Sequence, residues 1–338
     1  MRRAIMISPG HIKFKEAEKP LPGKEEVLLR IKKIGICGSD VHVWHGKHPY
    51  TSYPVIQGHE FSATVEEVGK AVKNINIGAK VTATPQIVCG ECGPCKRGDY
   101  NICNELKVEG FQAPGVAQDF FVTDSKKVVV LPEAFSFEQG AMVEPASVAV
   151  HAVDKAGDVK NKNIIVFGAG TIGNLVGQVL KAKGAKVLIT DLSDYRLDIA
   201  NKCGLKNTSN AKKEKFIDAI KRIFGEEEFS IAFECVGVEQ TISNAIENIQ
   251  KGGKIVVVGV FSEDPRVNLG FVQDRELKLF GTLMYKYEDY EKSVSLIENG
   301  LININPLITE HFKFEDYEKA YHYIDKQGHK VMKVIIDL

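Results

Sequence analysis

The sequence predicts an α/β protein in which a doubly wound parallel sheet is inserted into a β-rich domain, and three observations carry that expectation. The chain has 338 residues, more than one hydrophobic core usually organises, so two domains are expected. Its first part holds short branched or aromatic runs separated by Gly, Pro and Asn, whereas from Asn163 short apolar runs alternate with helical segments. After Gly281 the alternation stops, and the tail is best placed back on the first domain. The expected division is therefore discontinuous: 1–150 with 286–338, and 151–285.

In the first domain, Val27 to Ile31, Phe61 to Val68, Ala79 to Ala83 and Phe120 to Thr123 read as strands of an irregular antiparallel barrel. In the second, the strands are Asn163 to Phe167, Lys186 to Thr190, Ser230 to Cys235 and Gly253 to Val258. Leu175 to Lys183 and Glu239 to Ile249 read as helices among them. The tail contributes helical segments at Asp289 to Glu298 and Phe314 to Tyr323, then a strand at Val334 to Asp337.

Charge and composition exclude several classes of partner. Lys plus Arg and Asp plus Glu each total 44, with no long run of either sign, so no electrostatic footprint for nucleic acid or an anionic membrane is present. The apolar runs fall far short of the roughly 20 residues that span a bilayer. Met1 to Gly10 lacks a secretory core and cleavage site, which predicts a cytoplasmic protein.

Immediately after the strand Asn163 to Phe167 comes Gly168-Ala-Gly170-Thr-Ile-Gly173, followed by a helical pattern. A strand before, a helix after and an acid about 20 residues on are the context that makes this a dinucleotide fingerprint. Gly168 permits the tight turn, Gly170 lets the backbone approach a pyrophosphate, and Gly173 lets helix pack on strand. The diphosphate would lie against the positive end of the helix dipole. Asp191 ends the next strand, where its carboxylate could accept from ribose hydroxyls and oppose a 2′-phosphate, although Arg196 is close in sequence. NAD is favoured over NADP. The alternative is an ordinary strand–helix turn with Asp191 as a helix cap.

Four of seven cysteines fall in one segment: Cys89, Cys92, Cys95 and Cys103, with Gly90, Gly93, Pro94 and Gly98 permitting the turns. Four thiolates fill a tetrahedral shell, which describes a closed structural zinc site. An iron–sulfur cluster or paired disulfides are the alternatives, and neither a second cluster nor a secretion signal supports them. A second set is dispersed: Cys37 in Gly35-Ile-Cys-Gly-Ser-Asp40, His59 and Glu60 in Gly58-His-Glu60, and Glu144 before Pro145. A thiolate, an imidazole and one or two carboxylates suit a catalytic zinc with an open position. Taken singly, each also reads as a buried small hydrophobe, a core histidine or a solvated acid.

Together these motifs, with Glu234-Cys-Val-Gly237, resemble the zinc-containing medium-chain dehydrogenases, in the sorbitol dehydrogenase-like polyol branch, over essentially the whole chain. The resemblance implies a Rossmann domain inserted in a GroES-like catalytic domain, with the active site in the cleft between them. It implies catalytic zinc on Cys37, His59 and Glu60, with Glu144 a fourth ligand or the residue that holds water there. Ser39 would take the substrate proton and His42 would deliver it to solvent, and each also reads as a turn hydroxyl or a surface histidine. Contacts to NAD would extend from the glycines to Thr171, Ile172, Val236 and Gly237. His45 and His48 match no motif position.

The expected reaction is oxidation of a secondary hydroxyl on a polyol, sugar acid or sugar phosphate to the ketone, by a homodimer or homotetramer. Two of three substrate contacts expected for the polyol branch are missing, because Val43 and Met284 stand where an aromatic residue and an arginine would, while Tyr285 is retained. The tail Gly328 to Asp337 is similar to that of gulonate-type and sugar-phosphate relatives. Threonine or 2,3-butanediol oxidation is the alternative activity, with Glu144-Pro-Ala-Ser-Val148 speaking against threonine. A zinc-free, NAD-binding regulatory protein on the same fold is the alternative from another class, and the retained cysteines and ligands speak against it.

Overall fold

The computed structural model describes all 338 residues. The chain divides into two compact units, one of 1–144, 286–294 and 308–338, the other of 145–285 and 295–307. The division differs from the expected one in the tail and at the first boundary, where 145–150 belong to the second unit. Residues 295–307 pack with the second unit, where Gln178 Nε2 donates to the Asn303 carbonyl at 3.2 Å and Asn303 N donates to Gln178 Oε1 at 2.6 Å. No local pattern in the sequence announces that pair.

The first unit is built on a seven-stranded mixed sheet. Its order is Ile308–Lys313, Lys333–Asp337, Glu26–Ile36, Glu60–Val68, Lys80–Ala83 and Val128–Val130, with Phe120–Asp124 also paired to Glu26–Ile36. Glu26–Ile36 runs well past the expected Ile31, because Ile34 and Ile36 are buried even though Lys32 and Lys33 interrupt the apolar pattern. That extension places Gly35 opposite Glu60 and Ile36 opposite Val334. The terminal strand therefore lies beside the segment that leads into Cys37. Lys286 to Val294 return to this unit through Tyr287, whose hydroxyl donates to the Val128 carbonyl at 3.0 Å.

The second unit carries a six-stranded, all-parallel sheet in the order Thr208–Asn210, Lys186–Asp191, Asn163–Phe167, Ile231–Glu234, Lys254–Val257 and Lys278–Gly281. Such a sheet needs apolar cover, and Ile165, Phe167, Leu188, Ala232 and Ile255 supply it together with Ile220, Phe224, Ile242 and Ile246 from helices. Chain order reverses at Asn163–Phe167, the usual place for a ligand in an open parallel sheet. The tail segment expected as one helix from Phe314 is a short 3-10 turn, Phe314–Asp316, followed by the helix Tyr317–Gln327. No helix is long and apolar enough to cross a membrane.

Candidate metal centres and dinucleotide groove

The four-cysteine lobe is compact. The Sγ atoms of Cys89, Cys92, Cys95 and Cys103 all lie within 4.8 Å of one another, and none forms a disulfide. Cys103 Sγ is 3.5 Å from Cys89 Sγ and 3.8 Å from Cys92 Sγ. A tetrahedral shell with zinc–sulfur bonds of about 2.3 Å has edges of about 3.8 Å, so the thiols fit that ion. Backbone N–H groups of Cys89 and Glu105 point at Cys103 Sγ, each at 3.4 Å, and Cys92 N points at Cys89 Sγ at 3.4 Å. N–H groups of Asn104 and Cys95 draw Cys92 down to about 6, toward the thiolate, whereas burial and the neighbouring thiols push Cys95 up to about 12. Gly90 and Gly98 at φ +74° and +78° make the turns that close the lobe.

The dispersed set also converges. Cys37 precedes the helix Gly38–Trp44, while His59 and Glu60 enter the strand Glu60–Val68, and their ligand atoms lie within 4.8 Å of one another. Glu144 is outside that cluster, although it is buried and near enough for its charge to act on His59. Ser39 is partly exposed and His42 is exposed, both on the helix that Cys37 opens.

A buried polar network holds these ligands. Asp40 Oδ2 accepts from Cys37 N at 3.0 Å, and its Oδ1 lies 3.6 Å from His59 Nδ1, which has no hydrogen-bond partner. Gln57 Nε2 donates to the Asp40 carbonyl at 3.3 Å and accepts, through Oε1, from Tyr321 Oη at 2.8 Å. Burial alone would pull His59 down, but Asp40 and Cys37 outweigh it and hold the imidazole well above its ordinary value. Burial likewise raises Asp40. A cluster this charged and enclosed calls for a compensating cation.

Lys333 belongs to the site although no motif contains it. Its Nζ donates to both oxygens of Glu60, at 2.7 and 2.6 Å, and to the Ile36 carbonyl at 3.0 Å, with the two side chains only 4% and 1% exposed. Gly35 makes room for this pair, because a Cβ there would come within 2.3 Å of Glu60 Oε2. The available signal was a lone lysine in the apolar run Val331 to Ile336. Asp40 stood inside the quoted motif without a role, and Gln57 and Tyr321 gave no signal.

In the second unit, Gly168 has φ +92°, and a Cβ on Gly173 would fall 1.9 Å from the Gly168 carbonyl oxygen, so both positions admit only glycine. Gly170 opens the helix Thr171–Ala182, which includes Thr171 and Ile172 and has no side-chain cap. The first N–H groups of a helix are without internal partners, which suits a pyrophosphate. Asp191 already serves the loop: its Oδ2 accepts from Ala169 N and its Oδ1 from Ser193 N, both at 2.8 Å. Arg196 Nη1 stands 4.0 Å from Asp191, and its Nε is buried without a partner. The amides of Val236 and Gly237 both donate to Glu234 Oε1 at 2.9 Å, leaving the exposed Val236 side chain as the group there that faces outward. Tyr285 is fully buried.

Known proteins agree with this geometry. Residues 23–133 match the alcohol dehydrogenase GroES-like domain and residues 171–299 the zinc-binding dehydrogenase family. The chain is 35% identical to sorbitol dehydrogenase 2 of Saccharomyces cerevisiae over 94% of this chain and 93% of that protein. Among solved structures it is similar to galactitol-1-phosphate dehydrogenase of Escherichia coli, with TM-score 0.91, 28% identity and all of both chains covered. It is also similar to an alcohol dehydrogenase of Escherichia coli CFT073 in complex with NADH, with TM-score 0.92, 27% identity, and 100% of this chain and 99% of that one covered. With the thiols gathered as zinc requires and the glycine loop shaped for a dinucleotide, the chain belongs to the zinc-containing medium-chain alcohol dehydrogenases, in their sorbitol dehydrogenase-like branch.

Proposed function

We propose that the protein oxidises a secondary hydroxyl of a polyol, sugar acid or sugar phosphate to the ketone, with NAD as hydride acceptor. The observation that carries this reading is the cluster of the partly exposed Cys37 with the buried His59 and Glu60, backed by Asp40 and Lys333. Those three side chains, with Glu144 nearby, are the ones that would hold a catalytic zinc; Cys89, Cys92, Cys95 and Cys103 would hold a structural one. Bound zinc supplies Lewis acidity, worth up to about 12 kcal/mol toward ionising an alcohol at neutral pH.

The chain's own groups do the rest. Ser39, two residues beyond Cys37 and partly exposed, accepts the substrate's hydroxyl proton. His42, exposed on the same helix, passes that proton to water. Asp40 keeps the His59 ring oriented from behind, and Lys333 gives the buried Glu60 its partner cation. Asp191 favours NAD, since a 2′-phosphate beside it would meet like charge. Sorbitol and galactitol 1-phosphate, named in the similar enzymes, both present such a secondary hydroxyl.

The protein acts as a homo-oligomer in the cytoplasm on this reading. Lys278–Gly281 is an open edge of the parallel sheet, with exposed Leu279 in it and exposed Leu283 just after it, and a second copy would cover it. The test of function is an NAD-reduction screen across polyols, aldonates, sugar phosphates, diols and threonine. Turnover with a polyol or sugar-derived substrate is expected; activity confined to threonine would refute the assignment of substrate class.

A further inference from the structure

The segment after the helix of Ser39 and His42 carries a third histidine that the chemistry above does not use. The His48 ring stacks on Phe111, with centroids 4.6 Å apart and planes 10° from parallel. Phe111 in turn lies 4.9 Å from the ring of His59. Phe111 is almost wholly buried, whereas His48 is partly exposed. His48 is therefore two ring contacts from a proposed metal ligand, within the reach of a sugar-sized chain whose reacting carbon is held there.

One nitrogen of His48 is committed to the protein. Thr51 Oγ1 lies 2.8 Å from Nδ1, which fixes the ring's orientation and leaves Nε2 with its hydrogen-bonding capacity unspent. If the Thr51 hydroxyl donates to Nδ1, Nε2 carries a hydrogen and donates; in the other tautomer Nε2 accepts. A hydroxyl satisfies either state, being both donor and acceptor, whereas a carboxylate or phosphate satisfies only one. Burial lowers the protonation of His48, so the ring offers no lasting charge that would select an anion.

We propose that His48 is a specificity-determining residue: its Nε2 hydrogen-bonds a substrate hydroxyl away from the reacting carbon, while Phe111 backs the ring and holds it in place. This deepens the polyol reading and rests on it. It also supplies a polar contact on the substrate side of a site in which Val43 replaces an expected aromatic residue and is itself fully buried.

The experiment measures kcat/KM for sorbitol, 2,3-butanediol and 2-butanol with NAD, in the wild type and in His48→Ala and His48→Gln, with zinc content measured on each sample. The diol and 2-butanol differ by one hydroxyl, so their ratio isolates that contact. His48→Ala is expected to lower the ratio of kcat/KM for the better hydroxylated substrate over 2-butanol by about tenfold or more, chiefly through KM. His48→Gln, which keeps a hydrogen-bonding group, is expected to recover part of the ratio at the same zinc content. An equal loss for all three alcohols, or an unchanged ratio, would overturn the assignment of His48 and leave the polyol reading standing. A wild type that prefers 2-butanol to both hydroxylated substrates would instead sink the polyol reading and the His48 contact with it.

Discussion

The four-cysteine lobe takes every ligand from residues 89–103 and leaves most of them partly exposed, whereas Cys37, His59 and Glu60 come together from separated positions and are backed by buried charge. In the lobe, backbone N–H groups and glycine turns arrange the sulfurs, and little else is needed. At the dispersed site the ligands depend on a wider network: Asp40 beside Cys37 and His59, Gln57 and the distant Tyr321 behind Asp40, and the distant Lys333 on Glu60. A shell that is full and local suits a structural ion; one that is open and enclosed by polar partners suits chemistry. Each region also carries a buried glutamate paired to lysine. Glu60 meets Lys333 in the core of the first unit, and Glu109 meets Lys127 just past the short strand Lys107–Val108 that follows the lobe.

The largest effect should come from the lobe. Zinc held by such cysteines contributes roughly 10–16 kcal/mol in isolated peptides, coupled to folding. Cys103→Ser should release one zinc per chain and lower Tm by about 10 °C or more, measured by calorimetry with metal analysis on the same sample. A variant that keeps its zinc and its Tm would mean that the lobe is held together by packing.

At the dispersed site, Lys333→Met leaves Glu60 buried without its cation. The expected loss is about 3–5 kcal/mol in denaturant unfolding, and adding Glu60→Gln should restore part of it. Equal losses in the single and double variants would show that the lysine acts by packing alone.

Much of the comparison was legible in the sequence, and the difference between the two sites explains what was not. The lobe was readable because its four ligands and its turn-forming glycines share one segment. The parallel sheet was readable because each strand and the helix after it form a local unit; Asn163–Phe167 has the expected bounds. The pair of Lys333 and Glu60 exists only through the antiparallel register that sets Val334 against Ile36 and Gly35 against Glu60. No spacing rule reaches across 273 positions. The fate of residues 295–307 was hidden for the same reason, since it turns on Gln178 meeting Asn303. The hairpin of Arg2–Ser8 and His11–Glu16 escaped notice because its second strand is largely exposed and shows no alternation.

The second buried glutamate should reveal itself through pH. Burial, only partly offset by Lys127, pushes Glu109 up to about 7 from an ordinary 4.5. Because the folded state binds this proton more tightly than the unfolded chain, the contribution of Glu109 to stability is greatest below about pH 4.5 and falls as pH rises to about 7. The change is about 3 kcal/mol and then levels off. Urea unfolding across that range should show this slope, and Glu109→Gln should flatten it. A difference between wild type and Glu109→Gln with the opposite sign would mean that Lys127 dominates and keeps the carboxylate ionised.

A smaller effect is expected in the second unit, which carries the proposed dinucleotide site. Asp191→Ala removes the proposed ribose contact and also frees Ala169 N and Ser193 N. KM for NAD should rise about tenfold or more, and far more than KM for NADP. An unchanged NAD/NADP ratio would move cofactor discrimination to Arg196.

Cys37, His59 and Glu60 form the proposed catalytic metal centre. Zinc content and NAD-linked turnover, measured together on the wild type and Cys37→Ala, test it most directly. The account predicts two zinc ions per chain and turnover in the wild type, against one zinc and no turnover in the variant with NADH binding intact. Near-native turnover in Cys37→Ala, or a second zinc still bound there, would contradict it.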